Sequence, residues 1–265
     1  MKNKKIWLIT GTIFVLAIIA CATSPTGRRQ LIRFSDEEMN KMGVQAFEDI
    51  KKKTPVETGA GPNNYVKCIT GAILAVTKDD TGVKSWEVVV FREPKTVNAF
   101  ALPGGKIGVY TGIFPVASTP GQLAAVLGHE VAHVIARHGN ERVSQDATLQ
   151  QVSGALGGIS DSKVFAGAIG AGAQFGVLLP FSRAHESEAD IVGLELMAKA
   201  GFNPAESIRL WENMKAASGG NAPPQIISTH PSNETRIAQL KQHLPQANTL
   251  YEQAKSSGKN PNCTL

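Results

Sequence analysis

The chain has 265 residues, room for one substantial domain or two small ones, and 42% of them are hydrophobic, an ordinary share for a globular protein. Its formal charge of +5 includes Lys2, Lys4 and Lys5 of a leader, and without them 24 basic residues face 22 acidic ones. No nucleic-acid partner is expected from so even a balance.

Residues 1–20 combine a basic start with an apolar stretch too short for a comfortable membrane span, the pattern of a signal peptide. The stretch ends in Ile18-Ile19-Ala20-Cys21, which resembles the lipobox of bacterial lipoproteins. That resemblance implies cleavage before Cys21, lipidation of Cys21, a membrane contact through the lipid anchor, and a polar tether to about residue 34. Ala22, in place of Asp, favours a Gram-negative outer-membrane lipoprotein facing the periplasm. Cys68 and Cys263 are then the remaining thiols in an oxidising compartment, and a disulfide between them is expected.

Ser35-Asp-Glu-Glu38 is a capping box opening a helix over residues 36–53. Gly61-Pro62-Asn63 reads as a turn before a second helix over 64–77. Strands are expected over 86–91, 96–102 and 106–111, forming a small, mainly antiparallel sheet. Thr119-Pro120-Gly121-Gln122 starts a helix that the pattern carries to about residue 144. Residues 150–180 are rich in Gly and Ala, with Gly172 and Gly176 at a spacing that lets helices pack closely. This run reads as a helical flap or hairpin near the site, or as a segment dipping into a membrane. Further helices are expected over 183–200, 205–217 and 232–243. A single main domain over 35–250 would leave 251–265 as a C-terminal tail.

The chemistry centres on His129-Glu130-Val131-Ala132-His133. Residues four apart on a helix lie about 40° apart around its axis, so both imidazoles reach one Zn²⁺. Glu130, about 100° round from His129, is placed to act as base on a water that zinc has acidified. Such a zinc needs a third protein ligand. His138, nine residues on, would lie on the opposite face of a continuous helix and suits an N–H donor or surface group better. Ala136 and Gly139 stand where the metzincin pattern needs Gly and His. In Ser182-Arg-Ala-His-Glu186-Ser-Glu188-Ala-Asp190, Glu186 and Asp190 are four apart, so one can ligate while the other holds a ligand histidine. Glu188 points elsewhere and is the alternative ligand.

HEVAH followed by SRAHESEAD resembles the zinc peptidases that include CAAX prenyl endopeptidases, HtpX-type proteases, and BepA- and LoiP-type periplasmic proteins. That resemblance makes Glu186 the third ligand of one Zn²⁺ per chain, with Asp190 in support. Asn98-Ala99-Phe100-Ala101, running on to Gly105, resembles the family's edge strand, and Ser228-Thr229-His230-Pro231 with Arg236 resembles its motif after the catalytic region. The fold so implied is α+β, a mainly helical gluzincin-type (minigluzincin) domain with its small sheet. A peptide could add to the strand at Asn98, Ala99, Phe100 and Ala101. His230 could donate to the oxyanion, cap the metal at rest, or hold a loop. The absence of a helical repeat makes the chain resemble the LoiP type. The function implied is endopeptidase action on unfolded or misassembled envelope proteins, with an outer-membrane protein as a further partner. The alternative is an outer-membrane assembly chaperone with little proteolysis, against which an intact Glu130 argues.

Overall fold

The computed structural model describes residues 21–155, 181–217, 225–230 and 234–265. The expected leader and most of the Gly/Ala-rich run lie outside the described residues, as does Pro231. In chain order the elements are β1 (Cys21–Thr23), β2 (Arg29–Leu31), α1 (Asp36–Lys53), α2 (Ala60–Leu74), β3 (Glu87–Phe91), β4 (Ala99–Leu102) and β5 (Lys106–Tyr110). Then follow α3 (Pro120–Ile135), α4 (His138–Ala155), α5 (Arg183–Lys199), α6 (Ala205–Ala217), α7 (Gln225–Thr229) and α8 (Glu234–Ser256). The α+β class is as expected, with helices around a small sheet.

The sheet runs β3-β5-β4, with β5 parallel to β3 and antiparallel to β4, so it is mixed rather than mainly antiparallel. Only Pro103, Gly104 and Gly105 join β4 to β5, which suits a tight antiparallel turn through the two glycines, both at positive φ. One face of the sheet packs Phe91 and Phe100 against Phe47 of α1. The other packs Val90, Ile107 and Val109 into the main core with Leu123, Leu127 and Val131 of α3. Helix α3, which carries His129 and His133, therefore lies on the sheet with β4 alongside it.

Local chemistry explains most of the boundaries. Ser35 and Glu38 exchange both hydrogen bonds of the capping box. Thr119 Oγ1 accepts from the Gln122 N–H at the start of α3, with Pro120 in the first turn. Helix α2 begins at Ala60 rather than residue 64. Pro62 needs no N–H in a first turn, and the Asn63 amide donates to the carbonyls of Glu57 and Gly59.

Four further expectations are corrected. The helix that carries His129 and His133 does not run to residue 144. It ends at Ile135, and Arg137 takes a positive φ of 55° before α4 begins. That costly conformation is held by the Arg137 guanidinium on Asp36 and Asp80. The polar tether is instead the hairpin β1–β2, docked by Arg28 on Glu141 and Glu188 and by Gln30 on the Ala136 carbonyl and Glu141. The last helix continues through Pro245 to Ser256, because Pro245 lies on an exposed flank where its missing N–H leaves nothing buried. The tail is consequently short, and it ends beside α2, where Cys263 and Cys68 form a disulfide with Cα atoms 5.7 Å apart.

Helices α3 and α5 cross with their backbones almost touching. A Cβ on Gly193 would lie 2.7 Å from the His129 nitrogen, and one on Gly128 would lie 2.8 Å from the Gly193 carbonyl oxygen. The two glycines set how near His129 on one helix comes to Glu186 and Asp190 on the other.

Candidate metal centre

His129 and His133 project from the C-terminal half of α3, Glu186 from the first turn of α5, and His230 follows α7. Their donor atoms all lie within 4.8 Å of one another, and all four residues are buried. His129 Nε2 is 3.0 Å from His133 Nε2, 3.2 Å from His230 Nδ1 and 3.5 Å from Glu186 Oε2. Glu186 Oε1 is 3.5 Å from His133 Nε2 and 3.0 Å from His230 Nδ1.

These residues fit a zinc ion. Tetrahedral ligation with bonds near 2.0–2.1 Å puts donor atoms about 3.3–3.4 Å apart, and the observed separations bracket that distance. The nitrogens converge while the outer faces of the rings are engaged. His129 Nδ1 lies 3.0 Å from Asp190 and His133 Nδ1 lies 2.9 Å from His138 Nδ1. Such outward hydrogen bonds orient ligand histidines. The electrostatics also call for a cation. Burial opposes charge on His129, but Asp190 and Glu186 outweigh it and push its pKa to about 9. Burial would raise Glu186, but His230 and His129 hold it well below the usual carboxylate range. At His133 burial dominates and keeps the ring neutral, the form that ligates.

Glu130 lies beside the cluster without joining it. Oε2 accepts from the Ala101 N–H at 3.2 Å, while Oε1 is buried with no hydrogen-bond partner among the described residues, 3.4 Å from His230 Nε2. Burial raises its pKa against the pull of His230 and His129, as suits a group that must accept a proton. A cavity of about 30 Å³ touches His129, Glu130 and His230 and is otherwise walled by side chains such as Met197, Trp211 and Met214. That is space for about one water molecule.

Asp190 and Arg236 form the support beneath. Arg236 donates to Asp190 through Nε at 2.6 Å and Nη2 at 2.7 Å, and its Nη1 lies 2.7 Å from Glu186 Oε2. Its guanidinium covers the Trp211 ring at 4.2 Å. Burial would raise Asp190, and Arg236 overcomes this and lowers its pKa.

The substrate-strand residues sit differently. Asn98, Ala99, Phe100 and Ala101 are all buried, and the Phe100 ring faces the aromatic cluster under α1. The Ala99 N–H is taken by the Asn98 side chain and the Ala101 N–H by Glu130. Cys21 opens β1 and takes no part in the site. Glu188, the alternative ligand, turns away toward Arg28 and His138. His138 is not on an opposite face: the corner at Arg137 brings it, fully buried, behind His133. Its contact there was not readable from a continuous helix, and neither were the roles of Arg28, Glu141 and His185.

A His-Glu-x-x-His helix completed by a glutamate from a second helix defines a gluzincin-type zinc metallopeptidase domain. Residues 62–244 match peptidase family M48, and the chain belongs to that family. It is 42% identical over 191 residues to the mitochondrial metalloendopeptidase OMA1 of Schizosaccharomyces pombe, covering 71% of this chain and 55% of that protein. With OMA1 of Saccharomyces cerevisiae the identity is 36% over 205 residues, or 74% of this chain and 58% of that protein. With the beta-barrel assembly-enhancing protease of Escherichia coli K12 it is 32% over 169 residues, or 60% and 34%. The chain thus spans little more than half the length of the two OMA1 proteins. These relatives support the family and not the finer LoiP-type likeness. They also overturn the expected location. The OMA1 relatives, from fungi, plants and animals, are mitochondrial proteins by name, which speaks against a bacterial outer-membrane lipoprotein. A basic, apolar leader does not by itself carry that address.

Proposed function

We propose that this chain is an endopeptidase that cuts extended segments of misfolded or misassembled proteins. The observation that carries the reading is the buried meeting of four donor atoms with a carboxylate whose second oxygen has no hydrogen-bond partner among the described residues. Zinc held by His129, His133 and Glu186 would supply a Lewis acid that polarises the scissile carbonyl and acidifies water. Glu130 Oε1 then takes the proton of the attacking water and later delivers it to the leaving amine. Asp190, clamped by Arg236, keeps the His129 ring in its ligating orientation. A substrate strand would pair with β4 beside Glu130 once the Ala101 N–H is released.

For His230 the distances support a cap on the metal at rest over an oxyanion donor. Its Nδ1 lies among the donors at 3.0–3.2 Å, as a fourth ligand would. A catalytic zinc keeps that position for water or substrate. This geometry supports the reading of a closed resting form, from which His230 would withdraw before substrate binds.

Zinc content and cleavage of an unfolded protein such as casein, with a chelator control, test the proposal. Stoichiometric zinc without any cleavage of unfolded chains, even in a His230→Ala variant, would overturn it. Capture of such chains uncut would favour the chaperone reading.

A further inference from the structure

We propose that His138 and Glu188 form a relay that fixes the tautomer and orientation of His133, and that the N-terminal hairpin holds this relay in place. The inference rests on His133 being a zinc ligand. Neither His138 nor Glu188 belongs to the donor cluster, and both are buried beneath it.

The protons can be placed by following the hydrogen bonds inward. Glu188 Oε1 accepts from the backbone N–H of Thr26 at 3.2 Å and from its hydroxyl at 2.7 Å. Oε2 accepts from Arg28 Nε at 3.0 Å. An ionised carboxylate can only accept, so His138 Nε2, 3.2 Å from Oε2, is the donor. The other nitrogen of a neutral His138 is then a bare acceptor. It faces His133 Nδ1 at 2.9 Å, and a single proton must lie between them, so His133 Nδ1 donates. His133 Nε2 is left with its lone pair aimed at His129 and Glu186. The opposite assignment would put the proton on His133 Nε2 and close it as a ligand. Asp190 does the same for His129 directly, whereas the Glu188 charge acts through one more imidazole.

The hairpin completes the device without touching the cluster. Arg28 bridges Glu188 and Glu141, giving the latter two bonds of 2.7 Å. Gln30 adds a bond of 3.0 Å to Glu141, which also pairs with His185 at 3.0 Å. The His185 ring stacks on His138 with centroids 4.5 Å apart. Arg28 is thus the counter-ion of both carboxylates behind the two rings.

The test is zinc affinity of the full chain, read by competition with a chromophoric chelator. His138→Phe keeps a ring and removes the acceptor, and should weaken zinc binding by about 10- to 100-fold. His138→Asn returns an oxygen near the Nδ1 position and should recover most of that loss. Glu188→Gln keeps an acceptor but removes the charge and should weaken binding severalfold, as should Arg28→Gln. Parent-like affinity in His138→Phe, or an Asn variant as weak as the Phe variant, would overturn the relay. If His138→Phe does not fold, judged by its thermal melt, Glu188→Gln decides, and parent-like affinity there overturns the relay. Parent-like affinity in Arg28→Gln overturns the hairpin's part. Full zinc retention by His133→Ala would instead refute the ligand assignment on which the relay rests.

Discussion

Replacing Asp190 by Asn tests the support of the zinc site with almost no change in volume. Asp190 accepts from His129 Nδ1 at 3.0 Å and from Arg236 at 2.6 and 2.7 Å, all buried. An asparagine offers one acceptor oxygen and turns an NH₂ group toward a donor. Breaking a buried ion pair from one side costs about 3–5 kcal/mol. Arg236 keeps Glu186 as a second counter-ion at 2.7 Å, so the low end applies, about 3 kcal/mol. The His129 ring also loses its anionic partner, for which zinc affinity should fall about 10- to 100-fold. Urea unfolding of the full chain in chelator reads the first quantity, and chelator competition reads the second. A stability loss under about 1 kcal/mol, the size seen for exposed pairs, together with unchanged zinc affinity, would refute the reasoning.

Other expectations are more direct. Glu130→Gln should keep zinc and lose peptide hydrolysis by several powers of ten, and substantial residual activity would move the base role elsewhere. His230→Ala should raise the rate on unfolded substrate if His230 is a resting ligand, whereas a large fall would restore its role as an oxyanion donor. Burial would raise the pKa of Glu141, but His185, Arg28 and Gln30 outweigh it and lower it to about 2. Its contribution to stability is therefore present above its ordinary value of 4.5 and lost as pH falls through about 2. The stability gap between parent and Glu141→Gln, from urea unfolding in chelator, should shrink over that window, and a gap that widens on acidification would contradict this sign. Exchanging Cys68 and Cys263 for Ser opens a loop of 195 residues, for which the chain-entropy estimate is about 5 kcal/mol. Free thiols at both positions in the purified protein would remove that proposal.

The sequence was most readable where the chemistry is local. Capping at Ser35 and Thr119 fixes two helix starts from residues three apart. The pair His129 and His133 needs only helical spacing, and Glu186 with Asp190 repeats that spacing on α5. What could not be read depends on distant partners. Neither Gly nor Pro occupies the corner at Arg137, which is held open by Asp36 and Asp80 from 101 and 57 residues away. Without that corner His138 falls on the wrong side. The hairpin looked like a polar tether because Arg28 finds its carboxylates 113 and 160 residues later. Gly193 gave no hint either, since a glycine inside a helix signals a close crossing only once the second helix is known.

Helix α8 has 23 residues and so is about 35 Å long. Near its start Arg236 grips Asp190 and Glu186, and beyond its far end Cys263 is fastened to α2. It is a beam supported at both ends, one support ionic and the other covalent. The placement of the His129 ring is thus tied, through Asp190 and this beam, to a helix that contributes no side chain to the metal centre. Slack at the distant fastening would be felt as play in the grip on Asp190.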